Sequence, residues 1–247
     1  MSIQLTGKVA IVTGASRGIG AATAKSLACA GHSIVVNYVS NETEAKKVVD
    51  EIKHDGGKAV AIRANVSVSA EASALFDQAA TIFGGVDILV NNAGIMHLSS
   101  IADTDDSSFD SQIAVNLKGT FNTLRLAANR LREGGRIVNL STSVVGLKLE
   151  SYGVYAATKS AVESLTAILS KELRGRKITV NAVAPGPTAT ELFFEGKPPH
   201  IIEKLSQMPP LERLGDPTDI AQTVSFLVSN DGGWINGQVL RANGGIV

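Results

Sequence analysis

The sequence predicts an α/β protein built as a doubly wound parallel sheet in one domain, and three observations carry that expectation. Short runs that are apolar throughout alternate with longer stretches of helical periodicity, as strands buried on both faces and their covering helices do. The first run leads through a glycine cluster directly into a helical pattern. No linker, repeat or low-complexity stretch divides the 247 residues, a length that one large α/β domain fills.

Taken in order, Val9-Ala10-Ile11-Val12 is the first strand, and the helix after the glycines spans 19–30. A strand over 34–36, a polar helix over 42–53 and a strand over 59–62 follow. Further strands are predicted over 88–90, 136–140 and 178–183, a helix over 153–173, and a short last strand over 237–240. Between Pro185 and Pro217 the chain carries Phe193-Phe194, Pro198-Pro199 and Pro209-Pro210, a pattern too irregular for a sheet layer. A long insertion beyond a strand's C-terminal end commonly covers a ligand, so a substrate lid is expected at about 190–210.

Composition narrows the function. Lys plus Arg and Asp plus Glu both total 23, so the formal net charge is zero, which argues against nucleic acid or an anionic membrane as partner. His32, His54, His97 and His200 are scattered and the single cysteine, Cys29, lacks a partner, so neither a metal site nor an internal disulfide is expected. Cys29 sits in an apolar stretch and reads as a buried residue, Trp234 as a packing residue, and His97 as an exposed loop residue with substrate contact the alternative. Residues 1–5 show no charged region followed by an apolar run, and no stretch approaches the roughly 20 apolar residues of a membrane span. A cytoplasmic location is the expectation.

Two local patterns carry chemistry. Thr13-Gly14-Ala15-Ser16-Arg17-Gly18-Ile19-Gly20 joins the first strand to the first helix. Glycines there let the backbone approach a pyrophosphate, which the helix N-terminus attracts with free N–H groups, as in Rossmann-type dinucleotide-binding folds. No Gly-Lys-Ser/Thr follows, so a P-loop is excluded. Tyr155 and Lys159 lie four apart within a helical pattern and share one face. A nearby ammonium is expected to lower the phenol's pKa and make it a usable general acid.

The glycine spacing resembles the T-G-x-x-x-G-x-G of the classical short-chain dehydrogenase/reductase family. The resemblance extends along the chain through Asn91-Asn92-Ala93-Gly94, Asn116, Tyr155-x-x-x-Lys159 and Pro185-Gly186. It implies that Tyr155 protonates a carbonyl oxygen while NADP(H) exchanges hydride. It further implies that Lys159 bonds the nicotinamide ribose and that Asn116 holds a relay water. A catalytic hydroxyl is implied just after the fifth strand. Counting along that strand favours Thr142, matching the family's S-x-x-G turn favours Ser143, and Ser143 is taken. The resemblance places Gly14, Ser16, Gly18, Ile19, Gly20, Asn65, Val66, Asn91, Ala93, Gly94, Pro185, Gly186, Thr188 and Thr190 along the cofactor. At the end of the second strand Tyr38 stands where NAD-dependent relatives carry an acidic residue. With Arg17 and Ser40 nearby, that favours a 2′-phosphate and hence NADPH. The implied activity is reduction of a small-molecule ketone or aldehyde, most similar to 3-oxoacyl-thioester reductases and the tetrahydroxynaphthalene-reductase-like branch. Alternatives are a glucose-dehydrogenase-like enzyme and a catalytically silent dinucleotide-binding protein. The resemblance also implies a homotetramer, and Ala156, Ala157, Ala161, Leu165, Ile168 and Leu169 give the Tyr155 helix more apolar positions than one core-facing stripe needs. The Arg241-Ala242-Asn243-Gly244-Gly245 ending departs from the family's acidic D-G-G, and an altered subunit contact is expected from it.

Overall fold

A computed structural model of the chain describes residues 7–247; residues 1–5, on which the reading of the N-terminus rested, fall outside them. The elements run β1 (Val9–Val12), α1 (Gly18–Cys29), β2 (Ser33–Tyr38), α2 (Glu42–His54), β3 (Lys58–Arg63), α3 (Ser69–Phe83) and β4 (Val86–Asn91). Then α4 (Asp106–Gln112) continues through a π-helical turn (Ile113–Gly119) into α5 (Thr120–Arg130). The second half comprises β5 (Leu131–Leu140), α6 (Val144–Leu147), α7 (Gly153–Glu172), β6 (Thr179–Pro185), α8 (Glu191–Phe194), α9 (Pro199–Gln207), α10 (Pro217–Val228) and β7 (Val239–Ala242). The sheet order is β3-β2-β1-β4-β5-β6-β7, and every pairing is parallel.

Both sheet faces are covered, which is why the strands are apolar at consecutive positions. Ala10, Val12, Ile34, Val36 and Val90 meet α1, α2 and α10 through Leu27, Val48, Ile52, Ile220 and Leu227. Their neighbours Ile11, Val35, Leu89 and Ile137 point the other way, onto Phe76 of α3, Leu124 of α5 and Leu169 of α7. This alternation follows from the two-residue side-chain period of a strand.

Some local expectations fail. Cys29 is exposed, because it is the last residue of α1 and faces away from the helix's buried stripe. Trp234 is 99% exposed, so among the described residues it is not a packing residue. The stretch between Pro185 and Pro217 is not irregular throughout: it holds the short helices α8 and α9, with Pro199 at the first turn of α9.

The strand order reverses between β1 and β4, so their C-terminal ends open onto a crevice, the usual ligand position in such sheets. A polar clamp holds that crevice. The Thr13 hydroxyl accepts the backbone N–H groups of Asn92 and Ala93, each at 3.0 Å, and Asn92 Nδ2 donates to the carbonyls of Thr13 and Gly14 at 3.0 and 2.9 Å. On the other side the buried Asn37 accepts from Gly14 N at 3.3 Å and donates to Ile62 O and Ala64 O at 3.2 and 2.9 Å. Replacing Asn37 by the similarly sized leucine strands the buried carbonyls of Ile62 and Ala64 and the half-buried N–H of Gly14. Asn37→Leu is therefore expected to lower the unfolding free energy by about 3 kcal/mol or more, read as a reduced midpoint at unchanged slope in urea denaturation.

Candidate active site

The groove starts at the glycine turn. Gly14 has φ +60 and would place a Cβ 2.9 Å from Ala93 Cα, and a Cβ on Gly20 would fall 2.4 Å from Gly14 O. The turn can therefore close only with glycines at these two positions. Arg17 is the N-cap of α1 but makes no side-chain capping bond, and the first turn holds no acidic residue. Its N–H groups and positive dipole end are thus left for an anion. Ser16, Gly18, Ile19, Tyr38, Ser40, Asn65, Val66, Ala93, Gly94 and Thr190 line the same groove.

Several predicted contacts are placed differently. Asn91 is buried and does not line the groove; its amide donates to Asn139 Oδ1 at 2.9 Å and accepts from the Thr123 hydroxyl at 2.7 Å. Asn92, the next residue, lines it instead. Asn65 caps its own turn by accepting from Ser67 N and Oγ at 3.0 and 2.8 Å, which leaves its NH2 group to face the groove. As the resemblance implies for residues near the nicotinamide, Pro185, Gly186 and Thr188 line the adjoining chamber with Tyr155 and Lys159, and Thr190 lines both chamber and groove. His97 is exposed, and the neighbouring Met96 is the residue that lines the chamber.

That chamber holds the reactive groups. Tyr155 and Lys159 project from α7 into it. Lys159 is buried, donates to Leu140 O at 2.7 Å, and stands 5.8 Å from the centre of the Tyr155 ring. Burial pushes the lysine down to about 8 and the tyrosine up to about 12, the Thr142 hydroxyl opposing the latter. Tyr155 keeps some exposure through the groove, yet the direction is clear: the phenol is protonated at neutral pH. Lys159 is not among the groups that shift the phenol, so the lowering expected from it is not found and the loss of water around the ring sets the direction.

The hydroxyl question turns on tertiary geometry. Thr142 and Ser143 both line the chamber that holds Tyr155. Ser143 Oγ donates to Ala184 O at 3.3 Å and accepts from Asn243 Nδ2 at 2.9 Å, whereas Thr142 Oγ1 accepts from Val144 N at 3.3 Å. Asn243, in the segment that departs from the family's ending, ties the C-terminal residues to that turn through its amide.

Asn116 sits within the π-helical turn and is fully buried. Its amide accepts from Ile95 N at 2.8 Å and donates to Ile95 O at 2.9 Å, with Thr158 Oγ1 at 3.3 Å. A Cβ on Gly94 would lie 3.3 Å from Asn116 Oδ1 and 3.6 Å from Lys159 Nζ, so this loop passes close over both side chains. Among the described residues no cluster could hold a metal ion and no helix is long and apolar enough to cross a membrane.

Comparisons with known proteins agree with this arrangement. A family model described as enoyl-(acyl carrier protein) reductase matches residues 14–247. An "NADPH-dependent aldehyde reductase-like protein, chloroplastic" of Arabidopsis thaliana is 44% identical over 99% of this chain and 96% of its own length. A short chain dehydrogenase from Burkholderia cenocepacia J2315, solved in complex with NADP, is 36% identical with a TM-score of 0.92, covering 97% of each chain. The angucycline C-6 ketoreductase LanV, solved with bound NADP, is 36% identical with a TM-score of 0.91, covering 97% of this chain and 95% of its own. By its motifs, its sheet and these matches along its length, the chain belongs to the short-chain dehydrogenase/reductase family.

Proposed function

We propose that this enzyme, an NADP(H)-dependent oxidoreductase, reduces an apolar and uncharged aldehyde or ketone. The observation that carries the substrate class is the lining of the chamber beside Tyr155. Met96, Leu147, Leu149, Leu192, Phe193, Leu205 and Ile246 surround it, and Lys159, already committed to Leu140 O, is its only charged residue. Such walls favour aliphatic or aromatic carbonyl compounds over a free sugar, whose hydroxyls would lose their hydrogen bonds with water. The Arabidopsis relative's aldehyde activity and LanV's ketone activity, given in their names, support that reading. A 3-oxoacyl thioester fits if only its acyl end enters.

The cofactor fits the groove: the uncapped N-terminus of α1 takes the pyrophosphate, and Arg17 and Ser40 flank a ribose end where Tyr38 offers no carboxylate to repel a 2′-phosphate. When bound, NADPH supplies the hydride. Thr142 donates a hydrogen bond to the substrate carbonyl oxygen and Tyr155 gives that oxygen its proton. Lys159, on the next turn of α7, steadies the charge that develops on the phenol oxygen. Asn116 positions the Ile95 backbone over Lys159 through the bonds described above. The segment at about 190–210 acts as a lid, supported by Leu192, Phe193 and Leu205 on the chamber wall. Assembly into a homotetramer is supported by exposed apolar side chains on the helices flanking this face, Phe109, Phe121 and Ile168.

Four outcomes test the site. Tyr155→Phe is expected to reduce turnover roughly a hundredfold or more while leaving the NADPH dissociation constant within a few-fold. Thr142→Ala should lose more activity than Ser143→Ala in the same steady-state assay with a panel of apolar aldehydes, ketones and 3-oxoacyl thioesters.

The reduction needs protonated Tyr155 and charged Lys159. Raising pH removes the lysine's charge first, near 8. A pH profile of kcat/KM for reduction should therefore be level below about 8 and fall above it.

Tyr38→Asp combined with Arg17→Ala is expected to cut the NADPH-over-NADH ratio of kcat/KM by about tenfold or more, the size of one charged contact. Parallel steady-state measurements with the two cofactors check it.

A further inference from the structure

Arg17 and Glu191 are the only charged residues lining the nucleotide groove among those the structure describes. They come from opposite banks, Arg17 from the glycine turn and Glu191 from the first residue of α8. Arg17 Nη1 donates to Glu191 Oε2 at 2.6 Å, so the pair bridges the groove. The banks also touch beneath it: a Cβ on Gly18 would lie 3.3 Å from Thr190 Cγ2. The Thr190 hydroxyl caps α8 by accepting from Phe193 N at 3.2 Å, which fixes the direction in which Glu191 leaves the backbone.

We infer that Glu191 is a cofactor-specificity residue that competes with the 2′-phosphate for Arg17. The inference rests on Arg17 being the 2′-phosphate contact. A carboxylate already bonded to the guanidinium must be displaced or crowded when a phosphate dianion arrives, whereas a cofactor lacking that phosphate leaves the pair intact. Glu191 therefore lowers the enzyme's affinity for NADPH relative to NADH and eases release of NADP+ after turnover. Both side chains are well exposed, at 58% and 71%, so the effect is modest, about two- to fivefold. It weakens as salt screens the pair.

The test is the effect of E191Q on the dissociation constants of NADPH and NADH, measured by quenching of intrinsic fluorescence at low and high salt, alone and combined with R17A. Glutamine keeps the side chain's size and bonding while removing its charge. E191Q is expected to tighten NADPH about two- to fivefold at low salt, to leave NADH unchanged, and to have no such effect once Arg17 is alanine. An equal change for both cofactors, no change for either, or an unchanged E191Q effect in the R17A background overturns the inference. R17A alone separates the two claims. If it leaves the NADPH-to-NADH affinity ratio unaltered, the assignment of Arg17 to the phosphate fails. If it collapses that ratio while E191Q does nothing, only the competition fails.

Discussion

The site depends on one side chain that is not itself chemical. The Thr13 hydroxyl gathers the N–H groups of Asn92 and Ala93 at the point where the strand order reverses. Without it, β1 and β4 would splay beyond their last ladder bond, and the glycine turn would lose the wall it closes against. Asn92 completes the clamp from the opposite side. The threonine of the T-G pair and the second asparagine of N-N-A-G are thus two halves of one joint, which is why these motifs, distant in sequence, belong together. The first asparagine serves the sheet interior, in a chain of buried amides and hydroxyls from Thr123 through Asn91 and Asn139 to Thr166.

Burial governs the chemistry of the reactive pair. Removing water from around Tyr155 and Lys159 favours the neutral form of both. For an enzyme that donates a proton in the reducing direction, a phenol that stays protonated is the useful state. The lysine, near 8, is the more readily altered partner. The groove also divides its labour cleanly: polar and backbone groups at the nucleotide end, aliphatic and aromatic walls at the chamber. Ile19, Asn92, Gly94, Thr190 and Leu192 belong to both parts, so the hydride donor and its acceptor meet in one continuous space.

The segment between β6 and α10 is built to be held at few points. Neither α8 nor α9 has a fully buried residue, so this region contributes little to the core. A partly exposed ion pair to the glycine turn and the packing of Leu192 and Phe193 at the chamber hold its near end. Low burial is the physical content of mobility in such segments. It suits a wall that substrates must pass.

By itself the sequence determined the fold and the kind of chemistry. Strands apolar on both faces can be satisfied only between two helical layers, and the glycine turn, the Tyr155 and Lys159 spacing and the missing carboxylate at Tyr38 are local patterns that need no tertiary knowledge. The helices α3 to α5 and α8 to α10 were less legible, because their stripes are interrupted by polar residues whose partners lie elsewhere in the chain. Tertiary structure alone shows that the Ser143 hydroxyl is bonded to Ala184 O and to Asn243. Asn243 lies a hundred residues on, and no pattern around the turn announces its arrival. The same reason moved Asn91 out of the groove and Asn92 into it, exposed Cys29 and Trp234, and paired Arg17 with Glu191. Each of these outcomes depends on which distant segment arrives beside a residue, and no local pattern encodes that arrival.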